Sequence, residues 1–544
     1  MFKAEGNKYR ELFLWIIIFI FLSALPIKLI FFQKSDFSVG KEFSSKASLR
    51  KSVLLAKRGE ILDRNNLVLA EDIPSYEIGL TIKNFSFDPT HIKAISENLD
   101  LNLNRLNKRL SNKNRKYLVL SQNIRKQKKE FLQSLEIPGL EVSNRKFKRN
   151  YPQGEIFSQL VGLTNYENEG VNGIEFALDT ILAGKNGFEE KQLSRKSGII
   201  QNKTLKKSKD GTSIQLTIDT NLQFLLFNKL QEAVFFHEAE SASGIIVDLK
   251  SNEILAMTNF PSFDPNDRKN LKNMNLLKNN SSIDLFEPGS TVKPLAFSAL
   301  IQNNSKFLNE KINTSPGWIE FEGYKTEDAK NYGILSTSEI ISKSSNVGMV
   351  KLCNNLDSNK ILQTYYSLGF GKYMNEIFIS TREGYLPEFK DLSLREKVSL
   401  CYGYGLQTTL AQLTNAYSVI FSEGIYRPLE LLKRSSEREA KKILKKEDAL
   451  QIKKILFEAV KNGTGYKANL KNYDVFGKTG TARIFKNNKY NEDIHNALFI
   501  GMAEIEEKEY LIGLIVKDPK KNGNGGGDVA APIFSKILNT IEKF

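Results

Sequence analysis

Apolar residues crowd into one long stretch near the start of the chain and elsewhere recur in short alternating or helical patterns. In residues 12–32, 21 positions long, only Ser23 and Lys28 are clearly polar. As a helix that length crosses a bilayer, with Lys28 reaching for the interface. A cleaved signal peptide would have a shorter apolar region and a small-residue cleavage site, and no such site is evident. The short N-terminal tail is expected inside and the bulk outside, because large domains translocate largely regardless of flanking charge. Residues 34–205 are polar, with short strand patterns. Segments 60–62 and 67–70 flank Asn65-Asn66 as a hairpin, asparagine tolerating the left-handed backbone. The lysine-rich stretch 201–211 suits a linker.

A different pattern follows. Residues 211–219 predict a strand running into a helix, and 243–248 with 253–257 predict a hairpin around 249–252. Late in the chain, 498–502 and 510–516 predict a second hairpin, with 474–481 as the strand entering that group. Mostly helical sequence lies between, for example 410–420 and 447–460. Helices inserted within an antiparallel sheet make this an α+β domain. The expected division is therefore 1–33 as tail and transmembrane anchor, 34–205 as an irregular, mostly-β domain, and 206–544 as the α+β domain. No internal repeat is present.

The chain has 544 residues, 41% hydrophobic and 26% charged, which is globular rather than disordered composition and enough for two or three cores. Net charge is +16, and between Arg105 and Lys129 there are ten Lys or Arg and no acid. A solvated face is the first explanation, and anionic lipid or polymer the second. A chain anchored outside the cytoplasm meets no nucleic acid. Cys353 and Cys401 fit no metal or redox spacing, and whether they pair is open. His91, His237 and His495 are not paired at ligand spacing, so no metal or cofactor is expected.

Candidate chemistry centres on Asp284-Leu285-Phe286-Glu287-Pro288-Gly289-Ser290-Thr291-Val292-Lys293-Pro294. Pro288-Gly289 signals a turn, and a helix begins after it. Ser290 lies at the helix mouth, where free N–H groups favour anionic oxygen. Lys293, three residues on, shares its face and is placed to reach the hydroxyl. A serine activated by an unprotonated lysine is one solution to acyl transfer. Alone the spacing is weak, since it recurs at Ser38–Lys41, Ser48–Lys51 and Ser143–Lys146 in polar surroundings. Ser344-Ser345-Asn346 and Lys478-Thr479-Gly480-Thr481 lift this copy. The decoys at Ser96–Asn98, Ser121–Asn123 and Lys196–Gly198 complete no ordered trio with apolar flanks.

That ordered trio resembles the signature of penicillin-binding proteins and serine β-lactamases. Arg58-Gly59-Glu60-Ile61-Leu62-Asp63-Arg64-Asn65, Gly170-Val171-Asn172-Gly173-Ile174-Glu175 and Tyr402-Gly403-Tyr404-Gly405 extend the resemblance to class B penicillin-binding proteins over nearly everything after residue 50. The resemblance implies a transpeptidase domain over 206–544 and a pedestal for dimerisation or partner contacts over 34–205. It implies Ser290 as nucleophile, Lys293 as base and Lys478 as the second cation. Ser344 would bridge Lys293 and Lys478 as a proton relay, and Asn346 would hold Lys293 and the substrate amide. Thr479, Gly480 and Thr481 would bind substrate, Gly480 by letting a peptide backbone lie alongside. The N–H groups of Ser290 and Thr481 would form the oxyanion hole. The implied substrates are peptidoglycan stem peptides ending in D-Ala-D-Ala on lipid-linked glycan strands, with β-lactams as mimics. The implied partners are the membrane, a polytopic glycosyltransferase and other cell-division proteins. Phe286–Ser290 and the modest length resemble the septal type. An elongation-type enzyme, a D,D-carboxypeptidase and a non-enzymatic penicillin sensor stay open, and a β-lactamase would normally lack the span and the N-terminal region.

Overall fold

A computed structural model of the chain describes residues 6–543 except 112–114, 143–145, 195–197, 269–270, 355, 375–380, 389–391, 435–438 and 487–488. The decoys at Ser143–Lys146 and Lys196–Gly198 thus rest on residues outside the described set. The chain divides into two compact units, one made of Met1–Lys57 with Gly184–Gly211 and the other of Arg58–Ala183 with Thr212–Phe544.

The first unit contains the helix Gly6–Ser48, within which Tyr9–Phe31 is long and apolar enough to cross a membrane and has no buried residue among the described residues. Its other element is an antiparallel sheet in the order Leu49–Leu54, Gly187–Ser194, Gly198–Lys206. The expected linker at 201–211 is therefore strand as far as Lys206, because pairing with Gly187–Ser194 engages its backbone whatever its polarity.

In the second unit, Val68–Thr81 is the spine of a sheet. Ile61–Leu62, Tyr117–Ile124, Leu140–Val142 and Lys146–Asn150 pair with it antiparallel. Ile61 opposes Ala70 across the hairpin expected around Asn66, whose φ of 66° is left-handed. The resemblance motifs at Arg58 and Glu175 meet in a buried ion-pair cluster. Arg58 Nε binds Glu175 Oε2 at 2.6 Å, Arg149 Nε binds Glu175 Oε1 at 2.6 Å, and Arg58 also reaches Asp179. Pairing on both carboxylate oxygens is what lets such charges be buried. In the basic run, Lys126 and Lys128 pair with Glu130 and Asp100, and Lys129 lies over the Tyr76 ring.

The α+β part of this unit holds five antiparallel strands in the order Glu253–Phe260, Ser241–Asp248, Lys508–Lys517, Lys489–Ile505, Val475–Lys486. Both faces are covered, so its strands are apolar at consecutive positions, yet the period of two still sorts their side chains. Ile245, Val247, Leu498, Ile500 and Ile515 face one core together with Leu295, Leu413 and Leu456. Ile246, Phe499, Ile512 and Leu514 face another with Leu226, Leu230, Phe534 and Ile537. The covering helices are thus Lys293–Asn303, Leu410–Phe421 and Lys446–Lys461 on one side, and Thr220–His237 and Ala530–Ile541 on the other. Asp219 caps Thr220–His237 through bonds from the N–H groups of Asn221 and Leu222. Cys353 and Cys401, whose pairing spacing left open, form a disulfide with Cα atoms 6.5 Å apart.

Candidate active site

Ser290 lies in a 3₁₀ turn, Gly289–Val292, that opens directly into the helix Lys293–Asn303. Pro294 fits there because first-turn N–H groups have no intrahelical acceptor. The turn is locked from two sides. Thr291 Oγ1 donates to Pro288 O at 2.7 Å, and the Tyr417 hydroxyl donates to Thr291 O at 2.5 Å. It also packs onto the Lys-Thr-Gly strand: a Cβ on Gly480 would lie 2.7 Å from Thr291 Cγ2. Glycine at 480 is therefore required by the turn that carries Ser290, in addition to any demand from a substrate backbone.

Lys293 is fully buried. Its ammonium donates to Ser344 O at 2.6 Å, Ser344 Oγ at 3.2 Å and Asn346 Oδ1 at 2.8 Å. None of its hydrogen bonds among the described residues goes to Ser290. An amine with three acceptors is using all its protons, and its lone pair becomes free only once one is lost. Burial holds Lys293 well below the usual lysine range, the nearby Lys478 charge adds to this, and Asp328 opposes it.

Sequence reasoning missed Asp328, which builds the second motif. Its Oδ1 accepts from the N–H of Asn346 at 2.5 Å and of Val347 at 3.0 Å, and its Oδ2 accepts from Ser345 Oγ at 2.7 Å. Ser345 caps the helix Asn346–Cys353, and Ser344 sits before it with φ of 61°, a left-handed backbone uncommon outside glycine. Asn346 Nδ2 donates to Glu327 O at 3.0 Å, which leaves Oδ1 for Lys293. Asp328 closes a hairpin of Trp318–Phe321 and Tyr324–Glu327, and no local pattern marks it.

Lys478 is also fully buried. Of the bridge expected through Ser344 only the Lys293 side is hydrogen-bonded, since Lys478 Nζ bonds Thr479 O at 3.1 Å, Thr479 Oγ1 at 3.4 Å and Thr464 Oγ1 at 3.5 Å. Thr464 is a second residue missed. It lies in a Gly463-Thr464-Gly465 turn, and its hydroxyl is 2.6 Å from that of Thr479. Thr481 is exposed, and its Oγ1 accepts from Gly526 N–H at 3.1 Å. Ser290, Lys293, Ser344, Asn346 and the Lys478 strand are thus gathered around one turn, with Thr479 and Thr481 offering hydroxyls beside a cation. That assembly combines a hydroxyl, an amine that sheds its proton readily and a strand bearing hydroxyls and a second amine, parts that acyl transfer needs.

The penicillin binding protein transpeptidase domain matches residues 242–539, and the penicillin-binding protein dimerisation domain matches 53–216. The peptidoglycan D,D-transpeptidase FtsI of Buchnera aphidicola from Schizaphis graminum is 32% identical over 98% of this chain and 95% of its own. This chain belongs to the penicillin-binding proteins. Among relatives of this family, the peptidoglycan D,D-transpeptidase FtsI of Escherichia coli K12 is 30% identical over 91% of this chain and 84% of its own. Penicillin binding protein 3 of Mycobacterium tuberculosis, solved with aztreonam, shares the fold with a TM-score of 0.70 at 24% identity, covering 90% of this chain and 97% of that one.

Burial of Lys478 has a consequence for stability in this penicillin-binding protein. Its amine is pushed down to about 7, against about 10.4 in the unfolded chain. Between those values the unfolded state holds a proton that the folded state lacks, so stability rises with pH across that window and is least below it. Lys478→Met should therefore raise Tm relative to wild type at a pH of about 6, with the advantage shrinking towards pH ~10, while acylation by penicillin falls. Thermal melts of both proteins across that range check this. A gap that stays constant with pH would contradict the burial account.

Proposed function

We infer that this protein is a serine D,D-transpeptidase that cross-links peptidoglycan stem peptides during septum synthesis and is acylated by β-lactams. The observation that carries this is the fully buried Lys293, depressed by burial and by Lys478, directly after the turn bearing Ser290. It stands in a chain alignable over 98% of its length with a peptidoglycan D,D-transpeptidase. Ser290 Oγ attacks the carbonyl of the penultimate D-Ala as Lys293 Nζ takes its proton. The N–H groups of Ser290 and Thr481 stabilise the oxyanion, a service worth about 3 kcal/mol per donor in comparable sites. Collapse breaks the peptide bond, and the departing D-Ala amine takes a proton delivered from Lys293 through Ser344 Oγ. An amine from a neighbouring stem then attacks the ester and restores Ser290. Lys478, Thr479 and Thr481 hold the terminal carboxylate, Gly480 accommodates the peptide backbone, and Asn346 holds its amide.

In this reading residues 1–33 are the tail and anchor, 34–205 the pedestal and 206–544 the transpeptidase domain. The tail lies in the cytoplasm and the catalytic domain outside the inner membrane. The disulfide supports that orientation, because such bonds persist in oxidising compartments. A polytopic glycosyltransferase and other cell-division proteins are the proposed partners, with lipid-linked glycan strands as the polymer substrate. Labelling with a fluorescent penicillin and mapping the adduct tests the assignment: an adduct on Ser290 is expected, and an adduct elsewhere would overturn it.

Anchor and chemistry separate in this scheme. A chain beginning at Lys34 keeps Leu49–Leu54, which pairs with Gly187–Ser194, so the sheet of the first unit is intact. It is expected to be soluble and to acylate at close to the full-length rate, yet not to support septum formation. Beginning near residue 206 instead removes Ile61–Leu62 from Ile214–Gln215 and Asp63 from Thr220, and should destabilise the remainder. If the Lys34 form is soluble and folded but cannot be acylated, the catalytic domain is not self-sufficient.

A further inference from the structure

Three residues before Ser290 stands a carboxylate that the proposed chemistry does not use. Glu287 Oε1 accepts from Gly405 N–H at 2.9 Å and from the Tyr490 hydroxyl at 3.1 Å, while Oε2 is buried with no hydrogen-bond partner among the described residues. Gly405 ends a segment that grips the Ser290 turn. Gly289 N–H donates to Gly403 O at 3.1 Å, and a Cβ on Gly403 would lie 2.0 Å from Gly289 O, so only glycine fits. Tyr490 belongs to the strand Lys489–Ile505, and its ring meets Tyr404 edge-on at 5.3 Å. Tyr404 in turn meets Tyr402 at 5.7 Å, and its hydroxyl accepts from Arg483 N–H at 3.4 Å. One oxygen of the segment leading into the Ser290 turn therefore holds residues 402–405 and the strand end at 490, and residue 483 joins them through Tyr404.

We propose that Glu287 is a positioning residue for Ser290, fastening the 402–405 segment and the Tyr490 strand end to the turn through Oε1, as a neutral carboxyl with its proton on Oε2. The proposal rests on Ser290 being the nucleophile. The burial of Oε2 with no hydrogen-bond partner among the described residues favours the neutral form. A buried anionic oxygen with no donor is costly, whereas a carboxyl hydroxyl carries no charge to solvate. Burial also pushes Glu287 up from the carboxylate range, opposed by the bonds from Gly405 and Tyr490. Among the described residues, the titratable and charged groups tied to it are Tyr490 directly, Tyr404 against the Tyr490 ring, and Tyr402 and Arg483 through Tyr404. Tyr404 and Tyr490 are both pushed up, by burial first of all.

The test compares E287Q and E287A with wild type in the full chain, reading the saturating rate of penicillin acylation and the apparent affinity separately. Gln keeps an acceptor at Oε1, so E287Q should acylate within about threefold of wild type. E287A should lose about tenfold or more in the saturating rate with a smaller change in affinity, the mark of a misplaced reacting group. A merely structural role would lower Tm in E287A without that split. The neutral carboxyl is checked by pH. A raised carboxyl stays protonated in the fold after the unfolded chain has ionised, so wild type loses stability as pH rises above about 4.3 and E287Q does not. The Tm gap in favour of E287Q should therefore widen upward from there. A gap constant with pH, or E287Q as slow as E287A, would overturn the neutral form, and an E287A rate equal to wild type would overturn the positioning role. Wild type labelled at a residue other than Ser290 would instead sink the functional assignment on which the proposal rests.

Discussion

Ser290→Ala is expected to abolish labelling by a fluorescent penicillin while leaving the protein folded and membrane-bound. The loss should be essentially complete, because nucleophile removal in serine acyl-transfer enzymes costs on the order of 10⁶ in rate. Stability should change by no more than about 0.5 kcal/mol, since the side chain is half-buried and its hydroxyl makes no hydrogen bond among the described residues. The turn itself is held by Thr291, Tyr417 and the Gly403 contact, none of which uses the Ser290 oxygen. Labelling, thermal melts and mass mapping of any residual adduct check this together. An adduct persisting at Ser344, or on a distant serine such as Ser48, would refute the assignment of Ser290.

The second large effect concerns Lys293. Lys293→Arg keeps the positive charge but cannot give up a proton in this pH range, so acylation should fall by about 10²–10⁴-fold. The side chain is fully enclosed, and the larger guanidinium also strains its surroundings. Lys293→Met controls for this, since a similar unbranched side chain suits the buried position and no charge has to be desolvated there. It should melt at least as high as wild type near neutral pH and be equally poor in acylation. Acylation rates and melts on both variants decide the matter. Near-normal acylation by either would show that proton transfer through Lys293 is not what drives the reaction.

Much of this site is legible in the chain because its motifs are local. Pro288-Gly289 makes the turn, a spacing of three puts Lys293 on the Ser290 face, and an apolar run of 21 residues announces the N-terminal helix. The two hairpins of the central sheet are equally local, each with its strands side by side in sequence, and they form where the alternation places them. Comparison of motif order adds the family.

What the chain does not reveal are the partners brought together across long separations. Asp328 holds Ser345 and Asn346 from 17 and 18 residues away, and Thr464 meets Thr479 from 15 away, with no periodicity linking either pair. The bonds of Lys293 are likewise a tertiary result. A left-handed Ser344 turns both its carbonyl and hydroxyl toward the amine, so Lys293 rests on the second motif and not on Ser290. Gly480 looks like a place for substrate backbone in sequence, but packing of the Thr291 methyl decides that it must be glycine. Cys353 and Cys401 pair because the helices Asn346–Cys353 and Leu394–Cys401 end side by side, which a separation of 48 residues does not disclose. Sequence by itself determined the chemistry on offer, the order of the motifs and the N-terminal apolar helix. Only the tertiary structure decided which groups share a proton, which glycines are forced and which charges are buried, because desolvation and steric exclusion depend on neighbours that the chain brings together only when folded.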